Sequence, residues 1–417
     1  MITAATRILL VVGFLAGLAL KWPMLFYMGV YDMNEYYWWG NDALELGLPN
    51  AYPGIYYPLQ MQLFEACSWA AVNFDSQVIT LFKLPNLLFD VGSFVLLVLL
   101  LKRYKANPCY ALLYWLHPLF LTVFSLGYVD FQISFFVLLC VWLLREHRLT
   151  DYLLAGVPLA AAFLMKPQAQ ILVMAVFFCA VVHYIRSRDL RPVGFLAAPF
   201  VLFFAYEAWF IISGPRPWYI AALVLPASYL NVTNVLPALT AQMPNIWAPV
   251  AYLLKQPGQR SLTVSDQLQV LPLVPIKYIA AGVVLGLVGL HVWKVEQEPA
   301  TCVSRKLAKI FFFAALAVPF LMTSAHENHL FLAMIFLVLF LPNAASWATL
   351  MAAHILLLVQ FLNIYSLYEK HPAWLAQLLH SAQSDGWEVV YSLISLVCFW
   401  LIAKPLWPER VNRMPAV

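Results

Sequence analysis

Charged side chains are scarce in this sequence, and cysteines are fewer still. Of its 417 residues, 11% are Asp, Glu, Lys or Arg, and six are cysteine. Soluble globular domains carry about 25% charged residues, so the composition excludes an ordinary soluble fold. The sequence also lacks internal repeats, low-complexity tracts, nucleic-acid-binding motifs and any polar stretch long enough for a separate soluble domain. We therefore expect one domain over residues 1–417 and no nucleic-acid partner.

Apolar residues, in contrast, make up 63% of the chain, and the mean hydropathy is +0.79. A helix that crosses a bilayer needs about 20 mostly apolar residues. Segments of this kind, several of them shorter, predict an all-α polytopic membrane protein with about twelve transmembrane helices. The predicted spans are Ile8–Met28, Leu84–Leu101, Cys109–Phe124, Phe131–Leu144, Tyr152–Leu164, Ala169–Ile185, Val193–Ile212, Leu273–Trp293, Ala308–Met322, Leu330–Leu341, Trp347–Tyr365 and Trp387–Ala403.

The lysines and arginines orient these spans, because short loops rich in them stay in the cytoplasm. If the N-terminus is cytoplasmic, 16 of the 24 Lys and Arg residues fall on the cytoplasmic side. Both termini are therefore predicted to be cytoplasmic, and this bias accounts for the net charge of +4. On the same count Cys67 is the only external cysteine, which argues against a disulfide framework.

Two of the predicted external segments are long, residues 29–83 and residues 213–272. The first begins with an acidic and aromatic stretch, Tyr31 to Leu59, that contains no Lys or Arg. The second is rich in proline and is either a lid over a substrate or an irregular connector with short surface helices.

Four polar segments fall together on the external side. Turns need only Gly, Pro, Asn or Ser, so charged residues in such turns predict a shared cavity. Lys166 is either an interfacial charge or a phosphate-binding ammonium, and Asp130 is either a turn cap or part of the cavity. Asp90, inside a span, is interpreted as orienting neighbouring helices by hydrogen bonding. The segments are Asp32 with Glu35, Gly127 to Gln132, Lys166-Pro167-Gln168 and His326-Glu327-Asn328-His329.

A lipid-linked substrate suits this combination of groups. A departing phosphate at the membrane interface needs cationic or hydrogen-bonding partners, which Lys166 and His326 supply. An acceptor hydroxyl needs a carboxylate base, which contributes about 10²–10⁴ in rate, and Asp32 is placed to provide it. His326 and His329 lie three residues apart but lack carboxylate partners at ligand spacing, so no metal or cofactor is predicted, and metal dependence stays open.

These motifs, in this order, resemble the GT-C superfamily of integral-membrane glycosyltransferases. The similarity is greatest to the dolichyl-phosphate-glucose glucosyltransferases of N-glycan precursor assembly and their bacterial relatives. Asn328 departs from the pattern, since members of the family commonly carry a basic residue there. The matching segments are Tyr31-Asp32 with Glu35, Tyr57-Pro58-Leu59, Asp130-Phe131-Gln132, Lys166-Pro167-Gln168 and His326-Glu327 with Leu330.

The resemblance implies an inverting hexosyltransferase that uses a polyprenyl-phosphate or dolichyl-phosphate sugar. Asp32 would be the catalytic base. The acceptor would be a lipid-linked glycan, a glycolipid or a protein. Lys166, His326 and His329 would bind the donor phosphate, and the expected substrate-binding residues are Glu35, Tyr57, Asp130, Gln132, Gln168 and Glu327.

Two other functions stay open at this stage. A transporter or lipid flippase would use the intramembrane charges as coupling sites, although transporters usually place such groups near the bilayer midplane. A ligase for lipid-linked glycans would work at the same outer face by another reaction. For the glycosyltransferase the expected location is a bacterial inner membrane with a periplasmic active site, or the lumenal side of the endoplasmic reticulum in a eukaryote.

Overall fold

The computed structural model shows a bundle of helices that are joined at two opposite ends. It describes residues 3–29, 32–74, 77–231, 237–271, 274–298, 302–344, 346–368 and 385–407. Two short strands, β1 (Gln269–Leu271) and β2 (Val274–Pro275), pair antiparallel. The helices are α1 (Ala4–Met24), α2 (Asp32–Leu46), α3 (Leu48–Ala51), α4 (Pro58–Phe74), α5 (Val78–Arg103), α6 (Ala111–Leu116), α7 (Pro118–Leu126), α8 (Asp130–Leu143), α9 (Leu149–Phe163), α10 (Gln170–Ser187), α11 (Gly194–Ser213), α12 (Trp218–Ala221), α13 (Val224–Asn231), α14 (Trp247–Leu254), α15 (Ile276–Val295), α16 (Val303–Leu321), α17 (Phe331–Phe340), α18 (Trp347–Tyr368) and α19 (Asp385–Leu406).

Each predicted span coincides with one of these helices or with a bent pair. Among the described residues, seven helices are long and apolar enough to cross a bilayer, namely α1, α5, α10, α11, α15, α18 and α19. The α6–α7 pair makes an eighth if it is counted as one span; it bends by 48° at Pro118, whose ring cannot continue the hydrogen bonding of the preceding helix. The protein is therefore an all-α integral membrane protein, and the count of twelve crossing helices stays a prediction.

The core of the bundle surrounds α17, which is buried on every side. Its residues from Phe331 to Leu339 are all buried, and the rings of Phe120 and Phe131 pack edge-on against Phe331. The outer helices α1 and α11 instead expose large apolar side chains, such as Ile8 at 64% and Val201 at 66%. Apolar surface of this extent needs a nonaqueous neighbour, so these faces are the ones that contact lipid.

The acidic and basic turns lie at opposite ends of the bundle. At one end the turns after α1, α7, α9 and α16 carry the acidic and polar motifs. At the other end Arg103 donates to the Trp142 carbonyl at 2.7 Å and Arg191 to the His147 carbonyl at 2.6 Å. The predicted separation of charges is thus present, while the cytoplasmic position of the basic end stays a prediction.

The first long segment is largely helical, which the sequence analysis did not anticipate. α2 and α4 pack on each other, and the rings of Tyr36 and Phe64 stack with centroids 4.5 Å apart. Gly40 permits this approach, because a side chain there would meet the Phe64 backbone and Ser68. The segment therefore forms a small packed layer that fixes the start of α2.

The second long segment is held against the turn between α16 and α17. Ala241 and Gln242 form β-bridges with His326, and the buried Asp266 carboxylate accepts a hydrogen bond from Ser324 at 3.0 Å. These contacts favour the connector interpretation for the described part of residues 213–272, and movement as a lid stays a prediction.

Candidate active site

Asp32 is the first residue of α2 and is half-buried. Among the described residues its carboxylate makes no hydrogen bond or ion pair, which leaves both oxygens available to a ligand. Glu35 follows one turn later, also half-buried. Carboxylates are favourable in the first turn of a helix because the helix dipole is positive there. Tyr31, the other half of this motif, lies outside the described residues.

The surroundings of Asp32 favour its protonated form. Burial raises the pKa of this carboxyl, and the charge of Glu327 raises it further. Lys166 and His326 act in the opposite direction, and Glu35 adds a smaller increase. Lys166 and the His326-Glu327 segment are far from Asp32 in sequence, so the charges that act on the pKa of Asp32 come from three of the predicted segments.

Lys166 and Asp130 form a buried ion pair beside Asp32. The Lys166 ammonium lies 3.0 Å from each Asp130 carboxylate oxygen, and both side chains are 6% exposed. Asn328 donates to the same carboxylate at 3.1 Å. Asp130 is therefore part of the site rather than a turn cap. Lys166 uses two of its three N–H donors on Asp130 and keeps one for a ligand.

Glu327 faces the same group. Its carboxylate accepts a hydrogen bond from the Tyr128 hydroxyl at 2.6 Å, and one oxygen lies 4.0 Å from His326 Nδ1. The side chain of Glu327 is 4% exposed, whereas that of His326 is 42% exposed. His326 is therefore the group here that an incoming ligand reaches most directly.

His329 plays a different part from the one that its spacing suggested. Its Nδ1 accepts a hydrogen bond from the backbone N–H of His326 at 3.1 Å. Burial, with the nearby charges of His326 and Lys166, holds the pKa of His329 well below its usual range. The ring is thus neutral at pH 7 and carries its proton on Nε2, which makes it a neutral hydrogen-bond donor rather than a cation.

Tyr57 packs against the turn that carries Lys166. It is fully buried, its ring stacks on Tyr229 at 3.7 Å, and its hydroxyl accepts a hydrogen bond from Gln170. The Tyr57 backbone N–H donates to the Met165 carbonyl at 3.3 Å. Direct contact of Tyr57 with a substrate stays a prediction, and the observed contacts give it a role in shaping the turn.

The two predicted glutamines differ in their surroundings. Gln132 donates to the Asn86 side chain at 2.7 Å and is 1% exposed, so it points into the bundle. The amide of Gln168 is buried, and neither its oxygen nor its nitrogen has a hydrogen-bond partner among the described residues. A buried amide without a partner is costly, which makes Gln168 the better candidate for contact with a ligand.

Several residues of the site were missed by the sequence analysis. The Tyr36 and Tyr56 hydroxyls lie 3.1 Å apart, and burial followed by the charges of Asp32, Asp130 and Glu327 raises the pKa of Tyr56. From α18, the Gln360 amide donates to the Glu327 carbonyl. An amide side chain in an otherwise apolar span is an available sequence signal for Gln360, whereas two tyrosines among many aromatic residues give none.

The described residues contain no group of three or more His, Cys, Asp or Glu side chains arranged to hold a metal ion. The site instead combines a free carboxylate, a partly paired ammonium, an exposed imidazole and a neutral imidazole. Such a set can accept one proton and bind one oxyanion at the same place.

Two cavities open in the described part of the bundle, and neither is lined by Asp32, Lys166 or His326. One, of about 410 Å³, is lined by mostly apolar residues at the ends of α1 and α7, including Met24, Tyr27 and Ser125. The other, of about 550 Å³, lies between Tyr52 and the stretch that contains Arg216. Both are open rather than enclosed, so they are accessible from the surface of the bundle.

No family model matches the chain, and no curated protein shows significant sequence similarity to it. The resemblance to the GT-C superfamily therefore depends on the short sequence motifs alone.

Proposed function

We propose that the protein is an inverting membrane glycosyltransferase of the GT-C type, which moves a hexose from a polyprenyl-phosphate donor to an acceptor hydroxyl. The observation that supports this most is the grouping of Asp32, Lys166 and His326 at one end of an apolar bundle. These residues come from segments that are far apart in sequence, and contacts between the segments support the grouping: Lys166 and Asn328 both bind the Asp130 carboxylate, and Lys166 and His326 both lower the pKa of Asp32. A base and an oxyanion site at a membrane surface suit a substrate whose reactive phosphate is attached to lipid.

In the proposed reaction the acceptor oxygen attacks the anomeric carbon of the donor sugar. The new bond forms between that oxygen and the anomeric carbon, while the bond from the carbon to the phosphate oxygen breaks. Asp32 takes the hydroxyl proton, and the polyprenyl phosphate leaves with the electron pair. A single displacement inverts the anomeric centre and needs no covalent enzyme intermediate.

The raised pKa of Asp32 fits the role of a base. A carboxylate with an ordinary pKa of about 3.9 is a weak base at neutral pH, and catalysis improves as the pKa of the base approaches the working pH. Burial and Glu327 shift Asp32 in this direction. Lys166 and His326 lie close by and limit the shift.

The departing phosphate would be bound mainly by His326 and the remaining N–H of Lys166. The side chain of His326 is 42% exposed and would reach the phosphate first, whereas His329 would add a neutral N–H. Gln168, with its buried unpartnered amide, and Glu35 are the groups left to bind the sugar or the acceptor. The apolar cavity beside Met24 and Tyr27 is large enough for part of a prenyl chain.

A direct assay tests the proposal. The full chain is purified, reconstituted in liposomes and given one polyprenyl-phosphate hexose at a time, with lipid-linked glycans, glycolipids or proteins as acceptors. We expect transfer of a single hexose, with a product of opposite anomeric configuration to the donor. The Asp32→Asn variant should lose this transfer, and Asp42→Asn, an exposed acid on the same helix, should keep it.

Two results would favour the other functions. Movement of a lipid-linked sugar across the bilayer with no transfer would indicate a flippase. Transfer of a whole glycan from a pyrophosphate carrier would indicate a ligase. The Lys21–Asp90 pair, the strongest candidate for a coupling site, is fully buried, and Asp90 also accepts a hydrogen bond from Tyr114 at 2.5 Å. This arrangement agrees with the helix-orienting role predicted for Asp90.

A further inference from the structure

Helix α5 carries a buried stripe of polar residues that lies behind the candidate active site. Lys83, Asn86 and Asp90 are spaced by three and four residues, so they share one face of the helix. Their exposures are 0%, 1% and 0%. Polar groups at such depth are costly unless they have partners, and the partners of this stripe identify what α5 holds together.

Lys83 binds the ends of two other helices. Its ammonium donates to the Met24 carbonyl at 3.0 Å and to the Tyr27 carbonyl at 2.5 Å, both at the end of α1. It also donates to the Ser125 carbonyl at the end of α7. The chain continues from the first end to Asp32 and from the second to Asp130. One side chain therefore ties together the two segments that deliver these carboxylates.

Asn86 extends the same connection by one helical turn. Its amide donates to the Tyr128 carbonyl at 3.1 Å, and its oxygen accepts from Gln132 at 2.7 Å. Tyr128 in turn donates to the Glu327 carboxylate. The backbone of the turn before Asp130 therefore accepts hydrogen bonds from two successive turns of α5, from Lys83 and from Asn86.

The two connected segments also touch each other directly. Gly29 and Gly127 both have positive φ, +81° and +85°. A Cβ at Gly29 would collide with the Leu126 carbonyl, and one at Gly127 would collide with the Met33 sulfur and come within 3.3 Å of Lys83 Cε. Met33 follows Asp32 directly. The distance between the two segments is therefore limited by these close contacts, at the position where the Lys83 side chain lies between the segments.

We infer that Lys83 is a positioning residue, which fixes Asp32 relative to the Asp130–Lys166 pair by binding the backbone of both segments. This inference rests on the proposed function. Lys83 acts through main-chain carbonyls and so takes no part in the chemistry. Its contribution would be geometric, because a base has to lie within hydrogen-bond reach of the acceptor hydroxyl.

The experiment compares Lys83→Met and Lys83→Gln with a matched variant, Lys277→Met. Lys277 is likewise a buried lysine, 4% exposed, at the start of α15, a helix that packs mainly on α10 and α16. Asn86→Leu is a second, independent variant of the same stripe. Two quantities are measured on each full-length protein: kcat and donor KM for hexose transfer, and backbone hydrogen exchange by mass spectrometry.

We expect Lys83→Met to lower kcat by about 100-fold, the loss that a misplacement of about 1 Å can cause, with donor KM changed less than threefold. Exchange should accelerate in peptides that cover residues 24–29 and 125–129. Lys83→Gln keeps two N–H donors and should lose less, and Asn86→Leu should accelerate exchange mainly in residues 125–129. Lys277→Met should change neither kcat nor exchange in these peptides.

The inference is overturned if exchange at residues 24–29 stays at the wild-type rate in Lys83→Met and Lys83→Gln, or if kcat stays within twofold of wild type. If Lys83→Met does not fold, Lys83→Gln and Asn86→Leu decide by the same two measurements. If the wild-type protein transfers no hexose, the proposed function fails, and the exchange rates alone decide whether Lys83 holds the two segments.

Discussion

Lys166 binds Asp130 through both carboxylate oxygens, each 3.0 Å from the ammonium, in a pair that is almost fully buried. Removing one partner of such a pair leaves an uncompensated charge, which typically costs about 3–5 kcal/mol. We expect Lys166→Met to lower the free energy of unfolding by an amount in this range. The double variant Lys166→Met/Asp130→Asn should recover most of the stability and none of the transfer activity.

Thermal unfolding in detergent, with the double-mutant cycle, measures this coupling. Equal destabilisation by the single and double variants would show that the pair is not held in the way the structure describes. The corresponding exposed pair, Arg148 with Glu146 at 2.8 Å, serves as a control. Surface pairs contribute only about 0–1 kcal/mol, so Arg148→Met should leave the unfolding temperature nearly unchanged.

Asp32→Asn should abolish transfer and at the same time stabilise the protein. The pKa of Asp32 is raised in the folded state, so the folded state prefers the protonated carboxyl more than the unfolded state does. Stability is therefore lost as pH rises from the ordinary pKa through the raised one, and this loss is complete at pH 7 if the raised pKa is below it. The Asn side chain of the variant is neutral, so the variant does not lose this stability as the pH rises.

The measurement for Asp32→Asn is the unfolding temperature at pH 4 and pH 7, beside the rate of hexose transfer. The unfolding temperature of the variant should exceed that of the wild type at pH 7, and the difference should be smaller at pH 4. A variant that is less stable than wild type at pH 7 would contradict the assignment of a partly buried carboxylate with a raised pKa at this position.

The pH profile of kcat/KM gives a separate test of the surroundings of Asp32. The acid limb should lie above the ordinary Asp pKa of about 3.9, because activity needs Asp32 ionised. Glu327→Gln removes the largest charge effect that raises the pKa, so the limb should move to lower pH. Glu35→Gln should move it in the same direction by less, since the effect of Glu35 is smaller.

These shifts are read from the midpoint of the acid limb, which is independent of how far each variant lowers the maximal rate. If Glu327→Gln moves the acid limb to higher pH, either the base is a group other than Asp32, or the charges around Asp32 differ from those described. Glu45→Gln, an exposed residue at the far end of α2, should leave the midpoint in place.

Sequence patterns predicted the helical segments well because a bilayer demands long apolar runs, and each predicted span coincides with a helix or bent pair. They also predicted which turns share one end, because Lys and Arg distribution and strict alternation of spans place Asp32, Lys166 and His326 together. The helices α2 and α4 were not predicted, since their aromatic residues pack on each other rather than on a single apolar face.

Sequence patterns do not predict which side chains pair with each other in the site, for a physical reason. Whether Lys166 is free or bound depends on the direction of the Asp130 side chain, and the tautomer of His329 depends on which atom meets its Nδ1. Both depend on side-chain orientation across contacts between distant segments. Lys83 illustrates the same point, because a lysine at a predicted span end gives no sign that it binds three backbone carbonyls.

His326 and His329 should differ when each is replaced by glutamine. The side chain of His326 is 42% exposed and can reach a phosphate, and a hydrogen bond to a charged group contributes about 1.5–3 kcal/mol. We expect His326→Gln to raise the donor KM by roughly tenfold or more, since each 1.4 kcal/mol is a factor of ten. His329→Gln should have a smaller effect on donor KM, because its ring is less accessible, and a larger effect on stability, because its Nδ1 accepts the backbone N–H of His326.

Donor KM and the unfolding temperature, measured on both variants, separate the roles of the two histidines. A larger rise in donor KM for His329→Gln than for His326→Gln would reverse the assignment of the two rings.

Gly127 is the residue at which the positions of both carboxylates can be disturbed without removing any functional group. Its φ of +85° lies in the left-handed region, where a side chain costs roughly 1–2 kcal/mol. A Cβ there would also push against Met33, which follows Asp32, and against Lys83. We expect Gly127→Ala to lower kcat by a larger factor than it raises donor KM, because His326 and Lys166 lie outside the displaced segments.

Gly258→Ala is the matched control, since Gly258 has a similar φ of +81° with open space around it. It should carry the same backbone strain and keep full activity, so equal loss in both variants would show that strain alone, and not the spacing between Asp32 and Asp130, limits transfer.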